Sequence, residues 1–156
     1  MRNTILIIVF GIVMLSCKPP EHKGDNNVAL AQKMFDAFNA HQWQAMANCY
    51  RDSAQFLDPA FGKTYLPQTR SEVVEKYTRF QNAFPDIHDE IIAMYPSDNK
   101  VIVEFISTGT MASGAAFKLP IITVLTFENN LIVKDATYYD VENSSKEENP
   151  DEEEIP

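Results

Sequence analysis

The spacing of hydrophobic residues changes once along the chain, close to Pro85, and this change predicts how the domain is arranged. Before Pro85, apolar side chains recur every three or four residues, which is the spacing of amphipathic helices. After Pro85, apolar and polar side chains alternate, as they do in strands that bury one face. The pattern therefore predicts helices first and a series of strands afterwards.

Three helices are predicted before Pro85. The first spans about residues 27–40, and a second, shorter helix opens close to Trp43. Thr69 and Glu72 are spaced as a capping box for the third helix, in which each residue's side chain bonds the other's backbone. Pro85 ends this third helix, because the residue before a proline disfavours helical geometry.

Five strands are predicted, one between the second and third helices and four in series after Pro85. They cover residues 54–58, 87–95, 101–109, 117–128 and 131–141, and residues 58–70 are expected to form a loop. Turn-forming residues at 96–99 and 128–130 join their neighbouring strands as tight hairpins, so the sheet should be mainly antiparallel. We expect an α+β domain in which a curved sheet wraps around three N-terminal helices and forms a cone with an internal pocket.

The N-terminal segment is typical of a bacterial export signal that ends at a lipidated cysteine. Arg2 supplies a positive charge, and residues 5–13 form an apolar stretch that is too short to span a membrane. Residues 14–17 (MLSC) resemble a lipoprotein cleavage box, in which the small residue Ser16 stands directly before Cys17.

We therefore expect residues 1–16 to be removed, Cys17 to be lipidated and residues 17–27 to form a tether. The protein would then be held to a membrane of the cell envelope, outside the cytoplasm, by its lipid anchor. The sequence leaves open which membrane and which face carry that anchor. An ordinary secretory signal would need a small residue in place of Met14, and a membrane-spanning anchor would need about 20 apolar residues.

The composition argues against several classes of function. The chain has 13 Lys and Arg against 22 Asp and Glu, and no basic stripe, so nucleic-acid binding is not expected. Residues 142–156 are expected to be a disordered acidic tail, which leaves residues 28–141 as the folded domain. The histidines are far apart, and there is no glycine-rich phosphate loop, so neither a metal site nor a cofactor is expected.

Four short motifs resemble, in their order and spacing, those of a known family. They are residues 56–59 (FLDP) at a strand end, residues 84–88 (FPDIH) at a helix-to-strand junction, residues 108–110 (TGT) at the close of a central strand, and residues 138–140 (YYD) at the end of the last strand. In these motifs the chain resembles the nuclear transport factor 2-like superfamily and, within it, the SnoaL-like polyketide cyclase branch.

The resemblance implies a cone-shaped fold with an apolar pocket, which hosts enzymes, binding modules and dimerisation modules. The catalytic members are cyclases and isomerases that move a proton next to a carbonyl, with a pocket carboxylate as base. Here Asp140 matches the family's terminal aspartate, Asp58 closes the first strand, and Tyr138 or Tyr77 could donate to an oxyanion. Asp140 could equally be a structural acceptor at a strand end. The histidine that follows the TGT motif in the cyclases is replaced by Met111, which has no proton to give.

We therefore expect the domain to bind a small apolar or amphipathic molecule without catalysis, in a pocket lined by large apolar side chains. The expected lining residues are Phe38, Trp43, Phe61, Tyr65, Tyr77, Phe80, Met111 and Phe117. Two alternatives stay open. The first is a cyclase or isomerase with an Asp base. The second is an interaction module that forms a homodimer through an exposed strand face, which carries Ile102, Glu104, Ile106, Ile122 and Val124.

Lipidation of Cys17 can be tested by expressing the full chain in a lipoprotein-processing bacterium. We expect the mature N-terminal peptide to begin at an acylated Cys17 and the protein to fractionate with membranes. The variant Cys17→Ser lacks the thiol that accepts the lipid, so it should lose the acyl mass and leave the membrane fraction. Cys49→Ser is the matched control and should stay membrane-bound. An unmodified, uncleaved N-terminus in the wild type would contradict the prediction.

Overall fold

The computed structural model describes residues 23–140, so the predicted signal peptide, the lipidation site and the acidic tail lie outside the described residues. The helices are α1 (Lys23–Asn39), α2 (Trp43–Ala47) and α3 (Arg70–Ala83), with a short 3₁₀ helix at Pro59–Phe61. The strands are β1 (Tyr50–Leu57), β2 (Leu66–Thr69), β3 (His88–Ser97), β4 (Lys100–Thr110), β5 (Ala116–Glu128) and β6 (Leu131–Tyr138). No helix between residues 23 and 140 is both long and apolar enough to cross a membrane.

The strands form one six-stranded sheet in the order β2-β1-β6-β5-β4-β3. Four of the five neighbouring pairs are antiparallel, whereas β1 and β6 run parallel to each other. The three longest strands, β3, β4 and β5, are consecutive in the chain and are joined by hairpins, as the alternation predicted. The predicted α+β class is confirmed, with a mixed sheet in which antiparallel pairing dominates.

Strand β2 was not predicted, because it lies within residues 58–70, which were expected to be a loop. Its four residues are mostly exposed and include Pro67, so they show no alternation that would mark a strand. The pairing of Phe56 with Leu66 makes β2 an edge strand against β1. Pro67 is tolerated there because an edge strand can leave one side of its backbone unpaired.

Two elements begin earlier than the sequence predicted. Helix α1 begins at Lys23, so residues 23–27 are helical and do not form part of an extended tether. Strand β1 begins at Tyr50 instead of residue 54, and its register against β6 shifts between Tyr50 and Gln55. This bulge interrupts the alternation, which explains why the first half of the strand was not recognised.

The third helix begins and ends as predicted. The Thr69 hydroxyl oxygen accepts from the backbone N–H of Glu72 at 3.3 Å, and the Glu72 carboxylate accepts from the backbone N–H of Thr69 at 2.7 Å. The capping box is therefore complete, and two helix-terminal N–H groups that would otherwise be unpaired are satisfied. The helix ends at Ala83, two residues before Pro85.

The hydrophobic core lies between the helices and one face of the sheet, which we call the inner face. Along β4, the odd-numbered residues from Val101 to Gly109 are buried, and the even-numbered residues are more exposed. Phe105 on this face meets Phe35 of α1 edge to face, with ring centroids 5.0 Å apart. The inner face therefore carries both the core and any site that the helices enclose.

Gly109 allows the side chains of Phe84 and Phe117 to lie very close to the backbone at the end of β4. A Cβ atom at this position would lie 2.7 Å from a ring carbon of Phe117 and 3.1 Å from the Cβ of Phe84. A larger residue would push both aromatic side chains away from the sheet. Gly109 therefore lets α3 and β5 bring their aromatic residues together over the end of the inner face.

Candidate functional site

The inner face of β5 is covered at one end of the strand and partly open at the other. Thr123 and Leu125 are buried on this face, whereas Phe117, Leu119 and Ile121 are only half-buried. Because these residues alternate along one strand, they all lie on the inner face, and this face is less covered toward the N-terminal end of β5. The apolar inner face is thus accessible from that end.

The apolar side chains of helix α3 also become more exposed toward one end of the helix. Val73 is buried at 1% exposure, Tyr77 is half-buried, and Phe80 near the C-terminus is 38% exposed. The ring of Phe80 lies 5.1 Å from that of Phe84 and 6.5 Å from that of Phe117, and Phe84 and Phe117 meet edge to face at 5.0 Å. The partly exposed parts of α3 and β5 therefore face each other.

We call this region the open end. It is formed by half-buried or exposed apolar side chains of α3, of the residue that follows it and of β5, namely Tyr77, Phe80, Phe84, Phe117, Leu119 and Ile121. Three of the residues that the sequence predicted to line a pocket, Tyr77, Phe80 and Phe117, are brought together here. Aromatic surface of this kind can bind the apolar part of a small molecule.

A polar cluster lies beside the open end, where β1 and β6 finish. The Asp58 carboxylate accepts from the Lys76 ammonium at 3.1 Å and from the Tyr139 hydroxyl at 2.8 Å. Burial by itself would raise the pKa of Asp58, but the Lys76 charge and the Tyr139 hydrogen bond outweigh it and lower the pKa. Burial and the hydrogen bond to Asp58 raise the pKa of Tyr139. This cluster therefore holds an ionised carboxylate and a neutral phenol.

A second polar cluster is buried deeper, around Asp135 on the inner face of β6. One carboxylate oxygen accepts from the Tyr50 hydroxyl at 2.7 Å, and the other accepts from the Thr123 hydroxyl at 2.6 Å. Burial, reinforced by the charge of Asp135, raises the pKa of Tyr50 well above its ordinary value. Both carboxylate oxygens are thus satisfied, and the cluster links β1, β5 and β6.

Asp89, at the start of β3, is a third buried carboxyl. Unlike Asp58 and Asp135, it has an oxygen without a hydrogen-bond partner in the described structure. The residue is 6% exposed, and its Oδ1 atom has no hydrogen-bond partner among residues 23–140. Its backbone is held by Asn39 of α1, which donates to the carbonyl at 2.9 Å and accepts from the N–H at 2.8 Å. Burial raises the pKa of Asp89 to about 7, and the opposing effect of the Ser107 hydroxyl is smaller.

Phe38 and Trp43 lie in the core beneath the open end. Both are buried, and each packs against Tyr77, with ring centroids 5.5 and 5.7 Å apart. The Trp43 indole donates to Gln81 at 2.8 Å, and the His41 ring bonds Gln81 and the Ile87 carbonyl, each at 2.9 Å. Since a carbonyl can only accept, His41 carries its proton on Nε2 and accepts at Nδ1. These residues therefore support Tyr77 from below.

The remaining predicted site residues lie outside the open end. Asp140 is exposed, and Tyr138 is 52% exposed on the outer face of the sheet, whereas its neighbour Tyr139 bonds Asp58. Phe61 and Tyr65 are exposed in the segment between β1 and β2, and Met111 is exposed in the turn between β4 and β5. Strand alternation turns Tyr139 inward, which is the geometric reason that Tyr138 does not reach the polar clusters.

Asp89 and Asp135 were not singled out by the sequence analysis. Each occupies an inner-face position of a strand, so a charged residue at a position expected to be apolar was the available signal. No group of three His, Cys, Asp or Glu side chains within the described part of the chain is arranged to hold a metal ion.

Comparison with known proteins identifies the class to which this domain belongs. A family model described as a SnoaL-like domain matches residues 31–134, so the chain belongs to the SnoaL-like family. No curated protein matches the sequence.

Several solved structures share the fold. A protein from Catenulispora acidiphila with a ketosteroid isomerase-like fold, solved with trimethylamine, is 19% identical (TM-score 0.64, covering 72% of this chain and 85% of that one). A putative SnoaL-like polyketide cyclase from Jannaschia is 13% identical (TM-score 0.68, 81% and 94%). A putative ketosteroid isomerase from Kribbella flavida is 18% identical (TM-score 0.58, 75% and 79%). At these identities the similarity establishes the fold alone.

The pKa of Asp89 predicts a specific pH dependence of folding stability. Between about pH 4 and pH 7 the unfolded chain ionises Asp89 while the folded protein keeps it protonated, so its contribution to stability falls as the pH rises. The loss is on the order of 4 kcal/mol and is complete above about pH 7. Asp89→Asn cannot ionise, so its stability relative to the wild type should increase across this range when urea unfolding is measured.

The stability of Asp58→Asn relative to the wild type should depend on pH differently from that of Asp89→Asn. The pKa of Asp58 is lowered, so the stability that its ionised form contributes is present above about pH 4 and is lost only at lower pH. Asp58→Asn should therefore be destabilised by a nearly constant amount between about pH 5 and pH 8. A relative stability of Asp89→Asn that does not change with pH would contradict the prediction.

Proposed function

We propose that this protein is a lipid-anchored SnoaL-like domain of the cell envelope that binds a small amphipathic molecule at the open end. One observation carries the proposal: the apolar side chains of α3 become more exposed toward its C-terminus, and those of β5 become more exposed toward its N-terminus. Because both elements leave aromatic side chains half-exposed at the same end, an apolar ligand can bury surface there without displacing the core.

The neighbouring polar cluster favours an amphipathic ligand over a purely apolar one. Lys76 and Asp58 lie beside Tyr77, and their side chains are about one fifth exposed. The Tyr139 hydroxyl belongs to the same cluster and is half-buried. A ligand that placed its apolar body between α3 and β5 could direct a polar group toward these residues.

Two features support binding without catalysis. Asp140 and Tyr138, which the resemblance marked for catalysis, are exposed and lie outside the open end. Asp58 lies beside the open end, but its lowered pKa makes it a weak base for removing a proton from carbon.

A proton-transfer cyclase or isomerase is the alternative proposal, and one observation favours it. The pKa of Asp89 is raised to about 7, which is the range that a general base needs at neutral pH. A catalytic role would require the substrate to reach Asp89 from the open end.

The location at the cell envelope is proposed from the N-terminal sequence. The apolar stretch and the MLSC motif precede the domain, and Cys17 lies six residues before Lys23, which is already helical. A lipid on Cys17 would therefore hold the domain close to the membrane surface.

Ligand binding at the open end can be tested with 2-methoxynaphthalene as a probe, using titration calorimetry. We expect the wild type to bind it and Phe117→Ala to bind it about tenfold more weakly, because one of the three contacting rings is lost. Tyr95→Ala removes an exposed aromatic ring from the outer face of the sheet and is the matched control, so it should bind as the wild type does. Equal binding by Phe117→Ala and the wild type would contradict the proposed location.

We also propose that the outer face of the sheet forms a homodimer. A row of apolar residues crosses this face through five strands in register, namely Tyr95, Ile102, Val124, Ala136 and Leu57. Ile122 on the next row is 45% exposed. Ala136 is itself buried, but Tyr95 and Ile122 leave apolar surface exposed on this face, and such surface favours burial against a partner.

The charges on either side of this row favour a second copy of the same chain as the partner. Lys100 and Lys134 lie on one side of the row, and Glu104 and Tyr138 lie on the other, in the same strands. A two-fold axis along the row would place Lys100 opposite the partner's Glu104 and Lys134 opposite the partner's Tyr138. A shallow pocket of about 250 Å³ between Lys134 and Tyr138 would receive part of the partner's surface.

The dimer can be tested by reversing these charges and measuring mass by light scattering. Lys100→Glu should weaken the dimer about tenfold or more, because it places two glutamates opposite each other. The double variant Lys100→Glu/Glu104→Lys restores opposite charges and should restore the dimer. Lys118→Glu, at the far end of β5, is the control. A monomeric wild type at micromolar concentration would contradict the proposal, and so would a double variant as weak as the single one.

A further inference from the structure

Asp89 lies on the inner face of the sheet beside β4, deeper than the aromatic contact at the open end. Gly109 lies under the contact between Phe84 and Phe117. Ser107 is the next inner-face residue of the strand, about 7 Å deeper. Asp89 is paired with Ser107 in the β3–β4 register. Beyond this pair the inner face becomes apolar again at Phe105, which packs on Phe35 of α1.

Asp89 therefore forms a polar layer between the aromatic contact at the open end and the apolar core. It is fixed in position, because Asn39 bonds both its backbone N–H and its carbonyl. Its side chain lacks a full set of hydrogen bonds, since Oδ1 is buried and has no partner among the described residues. A buried polar atom without a partner lowers stability, so a ligand that supplied a hydrogen bond to Oδ1 would remove this cost.

The other two buried carboxylates have a hydrogen-bond partner on each oxygen. Asp135 uses both oxygens in bonds to Tyr50 and Thr123, and Asp58 is held by Lys76 and Tyr139. Each oxygen of these two carboxylates therefore already accepts a hydrogen bond. Asp89 can accept a new hydrogen bond without losing one.

We infer that Asp89 is the inner anchor of the ligand site and that the ligand carries a hydroxyl group at the end that enters between α3 and β5. A hydroxyl group suits this position because it can donate to a carboxylate and can also accept from a protonated carboxyl. The ligand class is thus a small apolar, ring-sized molecule with a hydroxyl at its leading end. This inference rests on the proposed binding function and names the chemistry of its ligand.

The hydroxyl preference should be strongest when Asp89 is ionised, which is the case at about pH 8. The groups that face or adjoin Asp89 from the other elements are Asn39 from α1, Ser107 from β4 and Tyr77 from α3. Of these three, only Tyr77 titrates, and burial raises its pKa above the ordinary value, so it stays neutral at this pH. A measured preference at about pH 8 can therefore be assigned to the Asp89 carboxylate.

The test compares 2-naphthol with 2-methoxynaphthalene by titration calorimetry at about pH 8. The two probes have the same ring system, but only 2-naphthol can donate a hydrogen bond. We expect the wild type to bind 2-naphthol about tenfold more tightly, as for a hydrogen bond to a charged acceptor. Asp89→Leu should bind the two probes equally. Asp89→Asn keeps an acceptor oxygen without the charge, so it should retain a reduced preference.

The possible outcomes separate this inference from the proposed function. If the wild type binds neither probe, the proposed function fails and this inference fails with it. If it binds both equally, the open end still binds ligands but Asp89 is not the anchor. A preference that survives unchanged in both variants also overturns the inference. Should Asp89→Leu fail to fold in a thermal unfolding control, Asp89→Asn decides, because only an anchoring role predicts that its preference shrinks.

Discussion

The parallel pairing of β1 with β6 is the constraint on which the polar interior of this protein depends. It joins the first strand of the sheet to the last, with Phe56 in register with Asp135. Two hydrogen bonds follow from it, Tyr50 to Asp135 across 85 residues and Tyr139 to Asp58 across 81 residues. Without this pairing, each carboxylate would lose its phenol donor, and a buried polar group that loses a hydrogen bond lowers stability.

The three inward-facing carboxyls share one side of the sheet but have different chemistry. Asp58 is paired with a cation and ionised, Asp135 is fully hydrogen-bonded by neutral hydroxyls, and Asp89 retains a buried oxygen without a partner in the described structure. Tyr77 lies among them, and all three carboxylates act to raise its pKa. The differences arise from neighbours on other elements, since all three side chains are aspartates on the same side of the sheet.

Side chains of the long strands alternate between the two faces of the sheet, so the two faces can have different functions. On β5, Phe117 and Leu119 face the helices and form part of the open end, whereas Ile122 and Val124 face outward. A ligand between α3 and β5 and a partner on the outer face would therefore not compete for the same side chains. The same strand can support a binding site and an assembly surface because its side chains point to opposite faces in turn.

The sequence alone predicted the α+β class, the order of the helices, the four later strands and the capping box at Thr69. These features depend on periodicity and on pairs of residues close together in the chain, which a single sequence displays directly. It did not predict β2, whose Pro67 and exposed residues carry no alternation, or the start of β1, where a bulge interrupts the period.

The sequence predicted only part of the candidate site, since three of its eight expected pocket-lining residues, Tyr77, Phe80 and Phe117, lie at the open end. Only the tertiary structure decided that Tyr139, and not Tyr138, reaches Asp58, and that Asp89 is buried opposite Ser107. The physical reason is that periodicity tells which side of an element a residue occupies. The partner that it meets there depends on strand order and register between segments that are far apart in the chain.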